Sequence, residues 1–226
     1  MAAEQHESSG LASSLTDLMT SLAVIFILLL VATLNNARQE VQGAKAEVLA
    51  LLEQALKEFS KQGVQVDHDP KDPLGLLVLV PEGLLRFRQN DPEPPPEGIE
   101  FLRGFMPKLV ETACRPGIRE GISSIVVEGH ASSEGTEQRN LVLSQQRSMS
   151  VVQSGLQVLG PGLHDCFLEL VSAAGRGSAE PYPTGQGAED RERSRRVIFK
   201  IRVKSLEQRP VLADISPQAA KQENGK

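Results

Sequence analysis

From Leu18 to Leu34 the chain is an almost unbroken apolar run, LMTSLAVIFILLLVATL, bordered upstream by Leu15 and one acid, Asp17. At about 1.5 Å of rise per residue, a helix over 14–36 crosses most of a hydrocarbon layer about 30 Å thick. The pattern predicts one membrane-spanning helix. Ser14 precedes Asp17 by three, the spacing of a capping box, so the acid also reads as a helix-start group at the interface. The small and polar residues 1–13 read as a short disordered cytoplasmic leader.

Past Asn36 the apolar positions thin to a stripe. Val41, Val48, Leu52, Ala55, Leu56 and Phe59 recur at helical spacing among Glu, Lys and Gln, which predicts an amphipathic stalk or linker helix over 37–62, closed by Gly63. From Val64 alternation replaces that spacing. VQVDHD, then Leu74 to Val80, then Leu84 to Phe87 read as short strands separated by turn signals at 69–73 and 81–83. The proline-rich stretch 91–98 reads as a surface loop, and Ile99, Leu102, Met106, Leu109 and Ala113 share the face of a helix reaching about Cys114. A strand over 124–128 ends in Gly129 and His130. A long helix over 137–159 follows, with Leu141, Met149, Val152, Leu156 and Leu159 inward and Gly160 with Pro161 as its stop. Strands over 167–174 and 197–203 complete a domain over 63–205, and 206–226 reads as a disordered tail. This order predicts an α+β fold, a sandwich of helices against one sheet.

Charge and cysteine content narrow the class. The 226 residues carry 24 Lys plus Arg against 29 Asp plus Glu, a net charge of −5, which argues against nucleic acid as a partner. The leader MAAEQHESSG holds no Lys or Arg, so the apolar run reads as an anchor and not a cleaved signal. Orientation is contested, because Arg38 and Lys45 flank the span on its C-terminal side, and the more basic flank ordinarily stays in the cytoplasm. Against that, Cys114 and Cys166 both fall in the soluble part, where a pair suits an oxidising compartment. Two buried free thiols are the alternative.

The stretch Ile125 to Arg147, IVVEGHASSEGTEQRNLVLSQQR, with Gly175, Gly177, Pro181 and the run Arg191 to Phe199, resembles the OmpA-type peptidoglycan-binding domain. That family carries an apolar strand, GHTD, a short loop, N-x-x-LS-x-x-R on a helix, and later G-x-G and NRRV. Gly129, His130, Asn140, Leu143, Ser144 and Arg147 match in order and spacing. The resemblance implies that Arg147 clasps a carboxylate of the diaminopimelate stem peptide, with Asn140 helping. The loop Asp of the family is Ser132 here, the nearest acid is Glu134, and the Asn of NRRV is Ser194. The expected peptidoglycan-binding set is therefore Arg147, Asn140, Ser132 and Glu134, with a weakened seat for the ligand's ammonium. An alternative for Arg147 is a surface arginine paired with a neighbouring acid. His130 reads as a strand-end residue bonded to backbone. The histidines and cysteines lack zinc spacing, GRGSAE lacks the glycines of a nucleotide loop, and the arginines of 191–196 are interleaved with acids as at a solvated strand entrance. No metal, no nucleic acid and no enzyme chemistry are expected.

A span with Asp near its start, a stalk and an OmpA-type domain together resemble the MotB-like stator subunits of ion-driven motors. The aliphatic span and non-basic leader resemble the branch serving Zorya anti-phage defence more than the flagellar branch. The resemblance implies that Asp17 carries an ion, with Thr16, Thr20 and Ser21 supporting the path or serving as small residues at a helix contact. It also implies a homodimer inside a pentameric ring of MotA-like (ZorA-type) membrane subunits, held to peptidoglycan. The protein would sit in the inner membrane with its N-terminus cytoplasmic and its domain periplasmic. No cofactor is implied. The transported ion reads as H+ sooner than Na+, because the span offers no further polar ligands. A flagellar stator subunit and a passive wall tether are the alternatives.

Overall fold

The computed structural model describes residues 2–88 and 90–204, with side chains from Leu15 onward except at 40 and 44. The expected tail over 206–226 lies outside the described residues. The chain divides into two compact units, Met1–Gly43 and Ala44–Lys226.

In the first unit, helix α1 (Ala2–Ala55) begins well before Ser14, so the expected helix start at Ser14 is not used. Ala, Glu and Gln near the beginning propagate a helix readily, and the segment expected as a disordered leader is helical. Among the described residues, one helix is long and apolar enough to cross a membrane, starting at Leu15. Its large apolar side chains, Leu18, Leu22, Phe26 and Leu28 among them, are exposed.

The second unit absorbs the end of α1. Val48, Leu52 and Leu56, with Phe59 on the one-turn helix α2 (Lys57–Ser60), are buried in the domain core, which corrects the expectation of a separate stalk over all of 37–62. The apolar stripe is real, but the domain itself covers its second half. Lys45 is also buried, its Nζ donating to the Pro73 carbonyl at 2.9 Å. It therefore does not act as a solvated charge beside the span.

Five strands form one sheet in the order β1-β2-β5-β3-β4, namely β1 (Gln65–His68), β2 (Gly75–Pro81), β3 (Ile122–His130), β4 (Val171–Gly177) and β5 (Arg196–Val203). All neighbours run antiparallel except β3 and β4, which are parallel. Phe199 on β5 faces Val78 on one side and Val127 on the other, so the alternating residues of three strands make one apolar face. Helix α4 (Pro96–Ala113) lays Leu102, Phe105, Met106 and Leu109 on it, and Phe105 meets Phe199 at 5.4 Å and Phe59 at 5.5 Å between ring centroids.

Helix α5 (Glu137–Val158) starts where expected, with Thr136 as N-cap accepting from the Arg139 N–H at 3.3 Å. Its inward face matches the expectation at Val152 and Leu159, which are buried, and differs nearer its start. Leu141 and Met149 are exposed, whereas Asn140, Ser144, Arg147, Ser148, Val151 and Gly155 are buried. The helix lies too close to the sheet for large side chains. A Cβ on Gly129 would come within 2.2 Å of the Ser144 carbonyl oxygen, and one on Gly175 within 2.5 Å of the Gln145 nitrogen. Leu84 to Phe87, expected as a strand, instead begins in the one-turn helix α3 (Glu82–Leu85), ended by Arg86 in the left-handed region at φ 51°. Pro81 ends strand pairing at that point. Phe167 to Leu170, also expected as strand, belongs to helix α6 (Pro161–Leu170). Pro161 occupies the first helical position and opens this helix as well as ending the previous one.

Cys114, at the end of α4, is joined to Cys166 on α6 by a disulfide with Cα atoms 6.3 Å apart. The bond closes a loop of 52 residues, worth about 4 kcal/mol in the chain-entropy account.

Candidate functional site

The motif residues meet where β3 ends and α5 begins. The Asn140 Nδ2 donates to the carbonyls of Ser132 at 3.0 Å and Glu134 at 2.9 Å, folding the 131–136 loop over the helix start. The Ser144 hydroxyl donates to the Leu141 carbonyl and accepts from the Gly177 N–H, both at 2.9 Å, fixing the end of β4. Gln145 repeats this one residue on, accepting from the Gly175 N–H at 2.6 Å. With the glycine contacts above, most of the GH…N-x-x-LS signature fastens α5 to the sheet. Ser132 and Asn140 are both buried, so each is committed first to the loop's shape.

Arg147 is also engaged from within. Its Nη1 pairs with Glu82 of α3, its Nη2 donates to the Arg88 carbonyl at 3.1 Å, and its Nε donates to the Asp91 carbonyl at 3.3 Å. The guanidinium lies 4.8 Å from the centre of the Phe87 ring. Burial pulls the Arg147 pKa below the ordinary arginine value, and Glu82 opposes that pull. Of the two possibilities for this residue, pairing with a neighbouring acid is realised, in a buried setting and not at the surface.

Charges then alternate across the site. Glu82 uses its second oxygen on the Arg195 Nε at 2.8 Å, Arg195 reaches Glu134 at 3.8 Å, and Glu134 pairs with Arg191 at 2.9 Å. The sequence Arg147, Glu82, Arg195, Glu134, Arg191 thus carries three cations and two anions, passing from a buried guanidinium to an exposed one. Arg191 lies on the one-turn helix α7 (Arg191–Ser194), capped by Asp190. Ser194, standing where the family has Asn, is fully buried and accepts from the Tyr182 N–H at 2.9 Å. Glu189 receives the Ser133 N–H at 3.1 Å, and the hydroxyl of Ser133 holds its pKa below the usual carboxylate range. Glu82, Glu189, Arg191 and Arg195 were not singled out from sequence as site residues. Glu82 follows a proline in an apolar strand and the arginines sit among acids, so only the fold brings them together.

Beneath, the connection 178–190 is clasped by Glu180, which pairs with Lys71 at 2.9 Å and Arg176 at 2.6 Å. Burial works against that carboxylate, but the two cations outweigh it and hold its pKa at about 2. His130 is buried at the end of β3 with its ring 3.7 Å from Glu128, and its ring nitrogens have no hydrogen-bond partner among the described residues, contrary to the expected backbone bond. Burial lowers the His130 pKa, so at neutral pH the ring is uncharged.

On α1, Asp17, Thr16, Thr20 and Ser21 lie within little more than one helical turn and are exposed. The Thr20 hydroxyl donates to the backbone carbonyls of Thr16 at 3.0 Å and Asp17 at 2.9 Å. Asp17 makes no ion pair among the described residues.

No family model matches the chain. It is 26% identical over 205 residues to the Zorya protein ZorB of Escherichia coli strain ATCC 8739, covering 83% of this chain and 86% of that one. It is 28% identical over 158 residues to the Zorya protein ZorB of E. coli O139:H28, covering 66% of this chain and 61% of that protein. Among solved structures, a putative MotB-like protein from Desulfovibrio vulgaris superposes with a TM-score of 0.53 at 19% identity, covering 74% of this chain and 95% of that one. The fold is shared with that protein: one N-terminal apolar helix precedes an OmpA/MotB-like domain, in a chain similar to ZorB over most of its length.

Proposed function

We propose that the chain is the wall-anchoring, ion-carrying stator subunit of a membrane motor in Zorya-type phage defence. The observation that carries this reading is the pairing, in a chain similar to ZorB, of one acid on an exposed apolar helix with an OmpA-like domain. Each large apolar side chain left uncovered on α1 forgoes about 1.5–3 kcal/mol of burial, so the helix calls for lipid or partner helices around it. An ionisable side chain enclosed there can carry a charge across the layer. Moving one charge through the membrane field supplies about 2.3 kcal/mol per 100 mV, enough to bias a conformational step in an enclosing ring. Asp17 is the proton carrier. Thr20, bonded to its own helix, shapes the backbone beside Asp17.

In this reading five MotA-like subunits surround two copies of the chain, and the domain grips peptidoglycan so that the ring turns against a fixed post. The decisive substitution is Asp17→Asn, which keeps size and hydrogen bonding but cannot ionise. The variant is expected to co-purify with its membrane partner while phage plating rises to that of cells lacking the system. Full protection by the assembled variant would leave a passive tether as the function.

A further inference from the structure

We infer that Glu82 is an internal stand-in for the wall ligand's carboxylate, competing with the stem peptide for the seat formed by Arg147 and Arg195. This rests on the reading of the domain as a peptidoglycan anchor and adds what sets the strength of its grip. Glu82 serves two arginines from different elements, one oxygen on the α5 guanidinium and the other on Arg195 at 2.8 Å. That is how two cations would divide one ligand carboxylate.

The seat is built to outlast the departure of Glu82. Arg147 stays fixed by the Arg88 and Asp91 carbonyls and by Phe87. The Glu82 backbone stays fixed too, because its N–H donates to the Arg195 carbonyl at 3.2 Å, so release is a swing of the Glu82 side chain alone. A buried guanidinium deprived of its carboxylate is strongly destabilised, which makes the vacated seat a demanding acceptor for another anion. The ligand class that fits is a carboxylate that two guanidiniums divide between them. That carboxylate takes Arg147 and Arg195. The displaced Glu82 side chain turns to solvent. The alternating series ends in Arg191 and carries one excess positive charge, so an entering carboxylate meets a net attraction.

The test is co-sedimentation of the full-length protein, in detergent, with purified sacculi. Wild type is expected to sediment. Glu82→Gln is expected to half-saturate at about tenfold lower sacculus concentration, the size of one charge-assisted hydrogen bond, and adding Arg195→Gln is expected to erase the gain. Should Glu82→Gln fold poorly, Glu82→Asp keeps the charge on a shorter arm that cannot reach both arginines, and an intermediate gain is expected. Binding by the folded variants equal to or weaker than wild type overturns the role of Glu82 and leaves the anchor intact. Absence of sedimentation by wild type and variants alike overturns the anchor reading itself.

Discussion

The apolar helix and the domain treat their charged groups in opposite ways. On α1, Asp17 stands among exposed leucines and isoleucines, with no ion pair among the described residues. In the domain, three of the four residues expected to meet a ligand already have a partner for the side chain: Arg147 has Glu82, Asn140 has two carbonyls, and Glu134 has Arg191. A group with no ion pair among the described residues, on a helix with exposed apolar side chains, calls for an external surface to complete it. A group already satisfied is reached only by exchange, so the affinity of the proposed anchor is a difference between two similar contacts.

That contrast can be broken by measurement, beginning with the covalent link between α4 and α6. Replacing Cys114 and Cys166 by Ser should lower stability by about 4 kcal/mol, read as an earlier denaturant midpoint. Arg147→Ala strands the 82–91 segment, although Glu82 keeps Arg195, and should lose about 3 kcal/mol, or roughly 9 °C in melting temperature. An unchanged melt would mean that Arg147 is a free ligand fork after all. Glu180→Gln should lose only about 1 kcal/mol at neutral pH, because the clasp is partly screened by solvent. Its signature is the pH dependence. The folded pKa of about 2 lies below the ordinary value of 4.5, so the stabilisation is complete above 4.5 and fades as pH falls toward 2. The variant should lack that part of the acid slope. Asp17→Asn should leave the melt of the domain unmoved while abolishing protection. A large stability change there would tie Asp17 to folding and erase the contrast.

Much of this was legible in the residues, for reasons that differ by element. The span, α4 and β5 were readable because one apolar period runs through each, and the GH…N-x-x-LS spacing located the β3–α5 junction. The inward face of α5 was misread at Leu141 and Met149, while Val152 and Leu159 are buried as expected. Tight packing on Gly129 and Gly175 selects small and polar residues there, so apolar periodicity points away from the sheet. Helix α6 was hidden by Pro161, which ends one helix and opens another with equal ease. The charge series could not be read at all. Glu82 and Arg195 are separated by more than a hundred positions and meet because β2 and β5 are neighbours, with Pro81 paired to Arg196.

The covalent link between α4 and α6 has a use beyond stability. Glutathione keeps cytosolic thiols reduced and the periplasm oxidises them, so the state of this cysteine pair reports the side of the bilayer on which the domain matured. A maleimide mass tag added to denatured, unreduced extract acts as a compass. Unshifted protein on a gel points outward, and a doubly shifted band points inward.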